Sequence, residues 1–284
     1  MLLIVRKKIF QLSLIFLFTM NLFSIELPLI KKNDPLIDII IEKIEEKKES
    51  LRDGDIIVIS EKVVAVSQGR IVNLSEVKNI SKKAKKMAKE YDMDERYVQL
   101  ILNEATSILG GLPGGHVILA KVNDFLIANA GIDQSNAGPN NVILLPKNPK
   151  ELVWIYWKHF KKIYNLKRLG VIFADSRVQP LRKGTIGIAV ATAGFEPIED
   201  LRGHPDLFGR PLKITLRAIA DDLTSAAQFL LNEGDQQTPV VIIRDANIEF
   251  TDNPQFTTEL PAEECLYMNI FSRYLLKKEK RFNE

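Results

Sequence analysis

Five short apolar runs constrain this chain most: Ile56–Ile59, Val63–Val66, Val171–Ala174, Ile186–Thr192 and Pro239–Ile243. Runs rich in Val and Ile, with little polar alternation, suit strands that are buried rather than half-solvated. The stretches between them carry a different period. Leu36 to Lys48 spaces its apolar residues as an amphipathic helix does, Val77 to Leu109 and residues 151–166 also read as helical, and Ala218 to Leu231 is a helix leading into the last strand. Strands and helices are mixed and no repeat of fixed period occurs, so the sequence predicts an α+β fold of mixed sheets with packed helices. A chain of 284 residues can bury roughly 75% of its unfolded surface, which suits one large domain or two intimate ones.

Smaller signals fill in the outline. Ile25 to Ile30 reads as a strand, and Asn33-Asp34-Pro35 reads as a helix start in which Asp34 accepts from the orphan N–H groups. Asp53-Gly54-Asp55 is a turn, and Gly110 to Gly115, with four glycines and a proline, is a loop. Val117–Lys121 and Phe125–Ala128 form two short strands about Asn123-Asp124. The lysines at 82, 83, 85, 86 and 89 read as a solvated helix face, and Trp154, Trp157 and His159 as core packing on one helix.

Charge narrows the function classes. Lys and Arg number 39 against 36 Asp and Glu, and Arg6, Lys7 and Lys8 are the only charges in the first 19 residues, so the remainder balances at 36 against 36. That excludes a disordered tail, a collagen-like fibre and a strongly basic nucleic-acid binder. The lone Cys265 excludes an internal disulfide framework and the usual Cys/His zinc sites. The basic triplet precedes an apolar run, Ile9 to Phe23, similar to a secretory signal but without a small-x-small cleavage site. A start at Met20 or an apolar N-terminal strand reads it equally well, and the balanced remainder suits a cytoplasmic protein.

Polar chemistry collects after the apolar runs. Asn129 to Gly138 holds Asp133 and Asn136 among small residues, and Asp175-Ser176 is followed by Gln179 to Gly184 with Arg182. Asp200 to Arg210 offers Arg202, His204 and Arg210 as an anion clamp. Ala220 to Ala227 is a small-residue helix that ends at Asn232-Glu233-Gly234-Asp235. Each of the first two clusters also reads simply as a capped turn. Together they supply oxygen ligands, basic groups and no Cys or His nucleophile arrangement, which favours Mg²⁺- or Mn²⁺-assisted phosphoryl chemistry.

These four motifs, in this order, with Leu27-Pro28-Leu29-Ile30 and Asp53-Gly54-Asp55 ahead of them, resemble the coenzyme F420-0:L-glutamate ligase family from about Ile25 to Arg244. The resemblance implies a GTP-dependent gamma-glutamyl ligase, in which the acceptor carboxylate attacks the γ-phosphate and the amine of L-glutamate then displaces phosphate from the acyl phosphate. It implies Asp133 and Asp175 as ligands of one Mg²⁺ or Mn²⁺, Ser176 and Glu233 as ligands of a second, with K⁺ as a further candidate ion. It implies Asp133, Asp175 and Arg182 in catalysis, and nucleotide contacts from Leu27, Pro28, Leu29, Ile30, Asn136, Asn232, Gly234 and Asp235. An F420-ligase-like fold and an intertwined homodimer come with it. The implied organisation is a leader or mis-assigned start at 1–19, a catalytic domain at 20–250 and a C-terminal extension at 251–284.

The chain departs from the family pattern at two places. Ser176-Arg177-Val178-Gln179-Pro180-Leu181-Arg182 stands where many members have Thr-Phe-Gly-Arg-Pro-Trp-Arg, and Ala65-Val66 stands where Ser-Lys is common, leaving Lys62 as the substitute nucleotide contact. Two other acceptor and function readings therefore stay open. A folate acceptor would use the same chemistry, and a nucleotide-binding relative without catalysis would keep the carboxylates alone.

Overall fold

The computed structural model describes residues 19–123 and 125–270. The leader reading, apart from Thr19, lies outside the described residues, as do Asp124 and residues 271–284 of the C-terminal extension. Along the chain the elements are β1 (Asn21–Ile25), α1 (Leu36–Glu46), β2 (Asp55–Ser60), α2 (Glu61–Ser67), β3 (Ile71–Asn73), α3 (Lys82–Tyr91), α4 (Glu95–Glu104), β4 (Ser107–Leu112), β5 (Val117–Val122), β6 (Phe125–Ala128), β7 (Asn141–Ile143), α5 (Pro149–Ile163), β8 (Leu169–Val178), β9 (Thr185–Ala193), β10 (Glu199–Asp200), β11 (Leu216–Arg217), α6 (Ile219–Leu231) and β12 (Val240–Arg244).

Five strands make the central sheet, in the order β1-β12-β2-β8-β9. β2 and β8 are parallel and the other pairings antiparallel, so the sheet is mixed. The apolar runs account for its burial, because successive side chains of a strand go to opposite faces and here both faces are covered. Ile57, Ile59, Val171, Phe173, Val240 and Ile242 pack with Ile40 and Ile44 of α1, Val64 of α2 and Phe160 of α5. Ile56, Val58, Ile172, Val241 and Ile243 pack with Ile219, Leu223 and Ala227 of α6. A second cluster joins α3 and α4 to the three-stranded sheet β4-β5-β6 through Met87, Tyr97, Val98, Ile101, Ile118 and Ile127. The architecture is thus α+β with mixed sheets. Among the described residues no helix is long and apolar enough to cross a membrane.

Several local expectations are corrected. The first strand is Asn21–Ile25, not Ile25–Ile30, because Pro28 has no N–H to give a ladder and the chain after Ile25 keeps only isolated bonds such as Leu27 N to Gln237 O. Val63–Val66 is helical: buried Val64, Ala65 and Val66 join the core from α2, and tertiary packing overrides their strand preference. The span Val77–Leu109 is broken in two, since Asp92 is left-handed at φ 54° and Asp94 caps α4 by accepting from Arg96 N at 2.7 Å. Gly110 and Gly111 lie in β4 rather than in a loop, where a side chain on Gly111 would come within 2.5 Å of Val117 O. Asp34 does not cap α1; its carboxylate accepts from Lys31 N at 2.7 Å, and Pro35 holds the cap position.

The readings of bulk composition fare better. The five lysines of α3 are exposed, and Trp157 is buried, edge-on to the partly buried Trp154 at 5.1 Å, with its indole donating to Leu169 O at 2.8 Å, whereas His159 is not core: its side chain is 41% exposed and lies 3.7 Å from Asp38. Gly194 lies against this bond at φ +86°, and a Cβ there would collide with both Leu169 O and Trp157 Nε1. Gly194→Ala is therefore expected to cost about 2–3 kcal/mol through overpacking and left-handed strain. A chemical-denaturation midpoint equal to that of the parent would refute the close packing.

Candidate active site

The site begins where β2 ends beside its parallel neighbour β8. Ser60, the last residue of β2, pairs with Ala174 of β8, so Glu61 and Asp175 emerge side by side at the C-terminal edge of the sheet, where open α/β sheets form clefts. The chain turns directly into α2 at Glu61, which places Lys62 beside them. From the other side, Asn129 and Ala130 take left-handed angles of 51° and 54° after β6, and the turn delivers Asp133, fixed by exchanged backbone hydrogen bonds with Ile143. On β9, Gly187 leaves room for α6: a Cβ there would lie 2.6 Å from Thr224 O, and Ser225 Oγ donates to Gly187 O at 2.9 Å. Close packing brings Asp221 to the same edge, where it accepts from Ala189 N at 2.9 Å.

Glu61, Asp133, Asp175, Ser176, Arg177 and Asp221 line one cavity of about 670 Å³. Lys62 Nζ lies 2.6 Å from Asp133 Oδ2 and donates to Ser135 Oγ at 2.9 Å, while Ser135 N and Oγ both donate to Asp133. Burial pushes the Asp133 carboxyl up, but the Lys62 ammonium and the Ser135 hydrogen bonds outweigh it and hold the group below its ordinary range. Asp175 is raised instead, chiefly by burial, with the Asp133 and Glu233 carboxylates adding to it and the Ser176 N–H opposing it. Glu61 is raised strongly, by burial first and then by Asp175, and its Oε2 has no hydrogen-bond partner among the described residues.

The segments expected to meet nucleotide are far apart in sequence and adjacent in space. Leu27 N donates to Gln237 O at 3.0 Å, and Asn136 Nδ2 donates to Gly234 O at 3.0 Å. Leu27 and Ile30 are buried while Leu29 is exposed, and Asn232 turns the chain at φ 58° after α6 with its amide on Leu230 O. Asp235 is exposed on the same loop. Glu233 accepts from Gln228 Nε2 at 2.6 Å and from Thr185 Oγ1 at 3.4 Å.

Other expected residues are placed elsewhere. Arg182 is exposed at the β8–β9 turn and does not line the cavity; Arg177, five residues earlier on β8, does, with its Nη2 3.9 Å from Asp221 and its buried Nε without a hydrogen-bond partner among the described residues. Arg202 folds back on Asp200 in a bidentate contact, holding that carboxyl down at about 2, so Arg202, His204 and Arg210 do not close as a clamp within the chain. Glu61 is the residue that reading the sequence missed. Its only signal was a Glu-Lys pair directly after an apolar strand.

The donors about the cavity are hard oxygens, and a buried carboxylate oxygen without a partner, beside two more carboxylates, suits a divalent cation. As the side chains lie, no group of three His, Cys, Asp or Glu among the described residues converges to hold an ion. Lys62 supplies the nearest positive charge to Asp133.

The model of the F420-0:gamma-glutamyl ligase family matches residues 24–245. Coenzyme F420:L-glutamate ligase of Methanocaldococcus jannaschii is 39% identical over 77% of this chain and 86% of its own length. The ligases of the same name from Methanopyrus kandleri and Archaeoglobus fulgidus are 36% and 32% identical, over 76% and 80% of this chain and 82% and 88% of their own lengths.

Proposed function

The chain belongs to the F420-0:gamma-glutamyl ligase family, and from that premise we propose that it forms an amide between the terminal carboxylate of coenzyme F420-0 and the amine of L-glutamate, at the expense of GTP. The observation that carries the reading is the meeting of Asp133, Asp175 and Glu61 on one cavity, with Asn136 of that cluster tied to the Gly234 loop expected to hold nucleotide. The acceptor carboxylate attacks the γ-phosphorus and GDP leaves. The glutamate amine then attacks the acyl carbon, inorganic phosphate departs, and the nitrogen gives up a proton as the amide forms.

Two anions must approach each other in the first step. Lys62 and Arg177 provide positive charge for phosphate oxygens and the acceptor carboxylate, and substrates filling the cavity would displace water from around the acyl phosphate. Asp133 and Asp175 would hold one Mg²⁺ or Mn²⁺, and Ser176 and Glu233 a second, with K⁺ as a further ion; the metals supply charge neutralisation at the phosphates. Leu27, Pro28, Leu29, Ile30, Asn136, Asn232, Gly234 and Asp235 form the nucleotide face. The Ser176–Arg182 departure keeps a reduced folate as the alternative acceptor.

A homodimer completes the reading. The arm between β10 and β11 leaves Leu207 99%, Phe208 87% and Ile214 87% exposed in a single chain, apolar side chains that a second copy would cover. The deciding assay supplies Mn²⁺ or Mg²⁺, GTP and L-glutamate, with F420-0 or a reduced folate. Phosphate should be released, and the acceptor should gain one glutamyl mass, only when the right acceptor is present. GTP binding by calorimetry with no turnover on either acceptor would instead assign a nucleotide-binding protein without catalysis.

A further inference from the structure

After the residues that the family model matches, the chain continues as a strap along α5. Thr251 N donates to Gly194 O at 3.1 Å, and the Glu196 carboxylate accepts from Gln255 N and Phe256 N, both at 2.8 Å. Lys161, near the end of α5, holds Asp252 at 3.0 Å, and Lys150, at its start, holds Glu259 at 2.9 Å. The helix between those lysines is about 16 Å long, and the strap between Asp252 and Glu259 can reach about 24 Å, so the strap can run antiparallel to α5 over that length.

The residues beyond Glu259 arrive at the carboxylate cavity. Leu260, Cys265, Tyr267 and Met268 line it together with Phe125 of β6. Leu260 and Tyr267 remain 52% and 47% exposed, so apolar surface faces an open space. The cavity, about 670 Å³, falls in the range that takes a whole drug-sized ligand rather than a glutamate tail alone. An acceptor lengthened at its carboxylate must place its unreactive body somewhere near, and binding energy from such a remote part supports the chemical step. Tyr and Met suit a flat, apolar body, one by offset stacking and the other by adapting to its outline.

We propose that the C-terminal segment Thr258–Met268 is a specificity-determining wall of this site, in which Leu260, Tyr267 and Met268 bind the ring system of an acceptor whose acidic tail is extended beside Asp133 and Asp175. The inference rests on the ligase reading above. It assigns acceptor choice to residues that lie outside the family match at 24–245.

Tyr267→Ala and Met268→Ala test it by steady-state kinetics with F420-0 and, in parallel, a reduced folate. Each variant should raise KM for the productive acceptor about tenfold, as loss of an aromatic or thioether contact would, and leave KM for GTP and L-glutamate and the melting temperature unchanged. Cys265, the only cysteine of the chain, gives a readout that needs no turnover: a maleimide should label it, and the acceptor should slow labelling while GTP alone should not. Unchanged acceptor KM in both variants, or labelling that neither F420-0 nor the folate slows, overturns the wall. A rise in kcat on substitution also overturns it, by marking the segment as a plug. Absent phosphate release with both acceptors would defeat the ligase reading alone, since protection of Cys265 still decides whether an acceptor sits against this segment.

Discussion

Asp175→Asn is expected to release phosphate about 10²–10³-fold more slowly than the parent, or worse, while melting no lower, because it removes charge where the reaction needs it and where the fold does not. Asp175 is half-buried within β8, and its Oδ1 accepts from Ser176 N at 2.6 Å. Asparagine keeps that acceptor and the side-chain volume. The carboxylate itself is a burden on the folded state, raised by burial and crowded by Asp133 and Glu233, so its neutralisation relieves repulsion. Function and stability should therefore move apart, as they do at sites strained for activity. Asp133→Asn should lose turnover as well but gain nothing in stability, since it also gives up the 2.6 Å contact with Lys62. Parent-like phosphate release by Asp175→Asn would remove this carboxylate from the mechanism, and a fall in melting temperature matching the loss of rate would make its role structural.

How much of this was legible beforehand can be argued residue by residue. The runs at 56–59, 171–174, 186–192 and 239–243 all became strands of the central sheet, because a strand buried on both faces leaves a continuous apolar signature. Asp175 stood out for a related reason, as a carboxylate directly after the run at 171–174, while Asp133 stood out among the small and amide residues that follow β6. Glu61 also follows an apolar run, but the apolar residues after it at 63–66 read as more strand and hid the point where β2 stops and α2 begins. Arg177 and Arg182 cannot be told apart by composition. The first lies within β8 and the second on an exposed turn, a difference of strand length that sequence fixes poorly. The strap past Arg244 gave no periodic signal at all, because its order comes from single contacts such as those of Glu196 and Lys161.

The largest expected loss of stability lies at the opposite end of β2 from the chemistry. Asp55 is fully buried at the first residue of that strand, and the Arg244 guanidinium, at the last residue of β12, grips it with two bonds of 2.9 Å. Arg52 N also donates to Asp55 at 2.9 Å, Ser50 O accepts from Arg244 at 3.1 Å, and the guanidinium stands over the Phe23 ring at 4.9 Å. The pair therefore ties β1, β12 and β2 together. Asp55→Ala would leave the guanidinium only Glu49, at 3.4 Å, as counter-charge, at a cost of about 3 kcal/mol. Arg244→Met keeps an apolar stem of similar length, so the double variant should be markedly more stable than the sum of the two single losses implies, the sign of a direct coupling. Simple additivity in urea unfolding would refute the clamp. Glu61 lies about 20 Å along the strand from Asp55. The turnover of the folded fraction should accordingly stay at the parent value, which separates this loss from those at Asp133 and Asp175.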